Sequence, residues 1–106
     1  MGTSTCVRCH DLDTTVAINS AAAMENVLRV VRDNLNDGTI VEAAYWPAGK
    51  IKIVRPAFLS IPVSGPWPDY LEVYFSCSSC GQLYRLTAET YRGFGGSWSR
   101  VNRCGQ

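Results

Sequence analysis

The stretch Tyr70-Leu71-Glu72-Val73-Tyr74-Phe75-Ser76-Cys77-Ser78-Ser79-Cys80-Gly81-Gln82-Leu83-Tyr84-Arg85-Leu86-Thr87 decides the fold. From Tyr70 to Ser76, Leu71, Val73 and Phe75 alternate with Glu72 and Tyr74, the two-residue period of a strand. Gln82 to Thr87 is a second strand. Between them Cys77-Ser78-Ser79-Cys80-Gly81 has to reverse the chain. Gly81 suits that reversal, since a residue without Cβ accepts a positive φ. A two-residue gap also lets two thiolates face one ion.

Upstream, Ala21 to about Asn36 reads as a helix. Met24, Val27, Leu28, Val31 and Leu35 recur with the spacing of one helix face. Glu25, Arg29 and Asp33 line the other face at four-residue steps. Asn19 or Ser20 is the expected N-cap, and Gly38 the C-terminal stop. Residues 1 to 19 read as irregular. Thr39 to Trp46 and Lys50 to Arg55 flank Pro47-Ala48-Gly49 as a hairpin. Phe58 to Val63 reads as a short extended piece, placed at a sheet edge by Pro62. Gly65 to Asp69 is a turn. Gly93-Phe94-Gly95-Gly96 is a glycine-rich turn without the Lys-Ser/Thr sequel of a phosphate loop. Ser97 to Val101 is a last strand. The expected fold is α+β, with one N-terminal helix packed on an antiparallel sheet in a single domain spanning 1–106.

A second pair, Cys6-Val7-Arg8-Cys9, has the same gap as Cys77 and Cys80. Two such pairs make a tetrahedral four-thiolate set, so Cys6, Cys9, Cys77 and Cys80 are expected to bind one structural zinc ion in a zinc-ribbon-like site. Residues 10 to 76 would then be an insertion between the two knuckles. Three other readings stay open. Cys6-x-x-Cys9-His10 also fits c-type haem attachment. A C-x-x-C pair can be a redox dithiol, although such pairs sit at strand-to-helix junctions. The cysteines can also be plain buried thiols. His10 and Cys104 are spare ligand candidates. A closed four-thiolate site has no open coordination position, so this metal would brace structure and not activate water.

The chain has 106 residues, ten basic and nine acidic side chains and a net charge of +1. That balance argues against a general phosphate-binding surface. No apolar run is long enough to cross a bilayer, so no membrane association is expected. Met1 to Cys6 carries no basic stretch followed by an apolar one. The expected location is cytoplasmic, where thiols stay reduced and paired cysteines favour metal over disulfide. With one His and no nucleophile arrangement, no catalytic residue is assigned and the chain is not expected to be an enzyme. Trp46, Trp67, Tyr84, Tyr91, Arg92 and Trp98 are the candidate partner-binding residues, because aromatic and Arg side chains anchor protein interfaces. Arg85, Arg92, Arg100 and Arg103 with Tyr84, Tyr91 and Trp98 also raise the alternative of a nucleic-acid-binding module.

The segment from Tyr74 to Trp98 is similar to small bacterial proteins that carry a C-x-x-C-G knuckle followed by E-T-Y-x-G-x-G-G-x-W. Here the second motif is Glu89-Thr90-Tyr91-Arg92-Gly93-Phe94-Gly95-Gly96-Ser97-Trp98. Some of those proteins resemble immunity proteins of polymorphic toxin systems. The resemblance covers about a quarter of the chain, and Arg92 stands where His is the more common residue. It implies a binding protein that blocks a cognate toxin by occlusion, and it brings no catalytic residue with it.

Overall fold

The computed structural model describes residues 10–43, 58–91 and 94–101. Among them, one helix lies on a five-stranded antiparallel sheet. The strands are β1 (Val16–Ala17), β2 (Ile40–Glu42), β3 (Tyr70–Cys77), β4 (Leu83–Glu89) and β5 (Gly95–Val101), in the spatial order β1-β5-β4-β3-β2. The α+β expectation therefore holds. No helix among the described residues is long and apolar enough to cross a membrane.

Helix α1 spans Ala21–Asn36. Ser20 is the N-cap: its extended backbone (φ −161°) lets its hydroxyl accept from the Ala23 N–H at 3.1 Å. At the other end Gly38 turns left-handed (φ 84°) and its N–H bonds the Leu35 carbonyl at 3.3 Å, the device that stops a helix with glycine. Met24, Val27, Leu28 and Val31 are buried on the sheet. Each contributes about 1.5–3 kcal/mol of hydrophobic stabilisation. They meet Leu71, Val73 and Phe75 of β3, Tyr84, Leu86 and Ala88 of β4 and Trp98 of β5 in one core.

β3 to β5 form a meander. Leu71 pairs Ala88 and Val73 pairs Leu86, while Leu86 pairs Trp98 and Ala88 pairs Gly96. Four expectations need correction. First, the N-terminal stretch read as irregular contains a 3-10 turn at His10–Leu12 and the strand β1. Two exposed residues carry no periodic signal, and β1 exists because Ile18, buried beside it, draws the chain against β5 through an N–H to the Gly96 carbonyl (3.0 Å). Second, Phe58–Ser60 is a 3-10 turn and not an extended piece. That turn buries Phe58 and Ile61 on one side. Arg32 of α1 clamps it by donating to the carbonyls of Ile61 (3.0 Å) and Leu59 (2.6 Å). Third, Gly95 and Gly96 belong to β5 and not to a turn. Fourth, β4 runs on to Glu89. The hairpin around Pro47-Ala48-Gly49 lies outside the described residues.

Both faces of β3 are buried, which simple alternation did not anticipate. Glu72, on the face away from α1, is 1% exposed. Its carboxylate accepts from the Tyr70 hydroxyl at 2.9 Å and the Tyr74 hydroxyl at 2.5 Å. Burial, then the hydrogen bond and the negative charge of Glu72, push the Tyr74 phenol from 10 up to about 12, and Arg85 offsets this only in part. Because the folded protein holds that proton more tightly than the unfolded chain, the linked stability is complete below pH 10 and is lost as pH rises from 10 to 12. We expect a loss of about 2 kcal/mol across that window, read by urea unfolding at successive pH values. Tyr74→Phe should flatten the slope. Glu72→Ala should cost about 2–4 kcal/mol at neutral pH, by removing a buried acceptor from two phenols.

Candidate metal centre and partner surface

The C-x-x-C-G turn joins β3 to β4, as the alternation on either side of it implied. Cys77 ends β3 and is buried, and Cys80 is exposed. The Cys77 N–H bonds the Gln82 carbonyl and the Gly81 N–H bonds the Cys77 carbonyl, both at 2.9 Å. Gly81 sits at φ +79° with open space where a Cβ would stand, so its backbone angle and not crowding selects glycine. The Ser79 N–H points at the Cys77 sulfur at 3.3 Å.

The turn is tied to the rest of the fold at two places. Ser78 bonds the start of β2, donating from its N–H to the Thr39 carbonyl (2.9 Å) and from its hydroxyl to the Gly38 carbonyl (2.6 Å). The Gln82 side-chain amide donates to the Val101 carbonyl at the end of β5 (3.0 Å). The spacing of the cysteines gave no hint of Ser78 or Gln82, because their role depends on which strands are neighbours.

Cys6 and Cys9 lie outside the described residues, as do Cys104, Trp46 and Arg92. Among the described residues no three His, Cys, Asp or Glu side chains gather into a metal-binding group. A thiol pair at a strand-to-strand turn also differs from the strand-to-helix setting expected of a redox dithiol.

The other named residues divide sharply. Tyr84 and Trp98 are corrections: at 0% and 3% exposure they are core side chains and not surface contacts. Their rings stack at 5.1 Å, Trp98 also meets Phe75 at 5.7 Å, and the Trp98 indole donates to the Leu12 carbonyl at 2.9 Å. Strand parity explains this, since both residues face α1. Trp67 is half-buried. Its indole donates to the carbonyls of Pro62 and Val63 (3.1 and 3.2 Å) and its ring packs edge-on against Phe94 at 5.6 Å. Tyr91 is 67% exposed.

Much of the E-T-Y-x-G-x-G-G-x-W segment therefore serves the fold. The Thr90 N–H and hydroxyl bond the carbonyls of Asp69 and Pro68, each at 2.9 Å. Gly96 lets β5 approach β4, and Trp98 fills the core. Tyr91 is the described member whose ring is turned outward. On the sheet face away from α1, Tyr70, Arg85 and Glu89 are exposed around the bare Gly95 backbone. No protein-family model matches this chain, and neither the curated proteins nor the solved structures yield a match to it.

Proposed function

We propose that this chain is a zinc-braced binding protein of the bacterial immunity type, which neutralises a cognate toxin by occlusion. The observation that carries the metal reading is the Cys77–Gly81 turn, with its N–H aimed at sulfur and its left-handed glycine. Topology adds support. β1 runs antiparallel to β5, so the chain before Val16 heads toward the end of the sheet that holds the turn. Asp13 marks that end by meeting Arg100 at 3.0 Å. In this reading Cys6 and Cys9, which precede that segment, complete a four-thiolate site with Cys77 and Cys80.

The partner reading draws on the exposed Tyr91, Tyr70 and Arg85, residue types that anchor interfaces. The nucleic-acid alternative loses two of its three rings, Tyr84 and Trp98, to the core, and Arg100 is engaged with Asp13. Protein purified without added metal should carry one zinc per chain. The full chain should co-purify with the toxin encoded beside it and protect cells from it. Tyr91→Ala should keep the wild-type unfolding midpoint and weaken that complex by about tenfold. Absence of binding to that toxin would sink the immunity reading, while binding to DNA or RNA that falls with salt would favour the alternative.

A further inference from the structure

A cavity of about 220 Å³ opens between α1 and the segment leading into β1. Its walls are mainly apolar: Leu12, Val16, Val27, Val30 and Val31, with Trp98 at the base. It exists for two local reasons. Ala23 presents only a methyl group on this side of α1, and β1, two residues long, does not extend the sheet far enough to fill the corner. The Trp98 indole N–H is already taken by the Leu12 carbonyl, so the ring offers the cavity an apolar surface. Val16 and Val30 are 37% and 46% exposed at its rim. Engineered apolar cavities of roughly 150 Å³ bind benzene, so this one has room for a single large apolar side chain.

The rim also carries charge. Asp11 is the ionisable residue among those lining the cavity. The neighbouring Asp13 is held by Arg100, whereas Asp11 has no ion-pair partner among the described residues. A carboxylate beside an apolar pocket complements a ligand that is apolar at its tip and positive one residue away. We propose that this pocket seats an apolar side chain of a protein partner whose adjacent residue is Lys or Arg and reaches Asp11. The inference goes beyond the preceding reading, since it requires neither zinc nor a toxin, and the partner segment is identified by its chemistry alone.

Three capped dipeptides test it on the 15N-labelled full chain: acetyl-Phe-Lys-amide, acetyl-Phe-Glu-amide and acetyl-Gly-Lys-amide. The Phe-Lys compound should shift the amide signals of Leu12, Val16, Val27 and Val31 saturably. Phe-Glu should bind about threefold more weakly, the scale of an exposed ion pair, and Gly-Lys should leave those signals in place. Ala23→Leu fills the cavity with a good helix former and should weaken Phe-Lys binding by at least about tenfold. Should that variant disturb the fold, Asn26→Leu on the same wall replaces it. Asp11→Asn should make Phe-Lys and Phe-Glu equivalent. Absence of a saturable shift with Phe-Lys, a shift mapped elsewhere, undiminished binding by the filled variants, or equal binding of the two Phe peptides to the native chain would each overturn the proposal.

Discussion

Gly96→Ala is expected to destabilise the fold by at least about 3 kcal/mol. Gly96 sits in β5 with φ +129°, and a Cβ added there would stand 2.1 Å from the Thr87 carbonyl oxygen and 2.7 Å from the Ala88 Cα. These are backbone atoms of the neighbouring strand, so no side chain can rotate away to make room. Relief requires β5 to move off β4, which breaks the ladder pairing Thr87 with Ser97 and Leu86 with Trp98. Trp98 would then be pulled from its stack on Tyr84. A domain of this size has about 5–15 kcal/mol in total, so the variant should unfold at markedly lower temperature and urea concentration. Gly95→Ala is the internal control. Its Cβ would meet nothing within 4 Å, and its unfolding midpoint should stay within about 0.5 kcal/mol of the native chain. Equal stability of the two variants would refute this account of the β4–β5 contact.

Metal removal should have the second large effect. If Cys6, Cys9, Cys77 and Cys80 hold zinc, chelation removes a tie between the N-terminal segment and the β3–β4 turn. Structural zinc sites contribute on the order of 10 kcal/mol to folding, comparable to the whole stability of such a domain. Treatment with a strong chelator should therefore abolish the cooperative thermal transition, and added zinc should restore it. Cys77→Ser should behave like the chelated protein. That single change removes a ligand and also replaces a buried sulfur that accepts the Ser79 N–H. Cys80→Ser separates the two contributions, because Cys80 is exposed and its loss removes a ligand with little loss of packing. Retention of stability by Cys80→Ser and by chelated protein would dismiss the metal and leave Cys77 a packing residue.

Helix α1, strands β3 and β4 and the turn between them were legible in the residues themselves, because each is set by neighbours close in sequence. The 3.6-residue spacing from Met24 to Leu35, the caps Ser20 and Gly38, the alternation from Leu71 to Phe75 and the glycine after Cys80 all act within a few positions. Tertiary structure decided everything that depends on which strands lie side by side. Tyr84 and Trp98 look like surface anchors in the sequence and are core residues, because β4 and β5 turn them toward α1. Gly96 looks like a loop glycine and is a strand residue, because Thr87 and Ala88 crowd it from the next strand. Phe58 to Ser60 form a 3-10 turn that Arg32 of α1 holds through the carbonyls of Leu59 and Ile61. The C-x-x-C-G turn shows both sides at once: local spacing announced it, but only the sheet order brings the end of β5 and Asp13 to the end of the sheet that holds it.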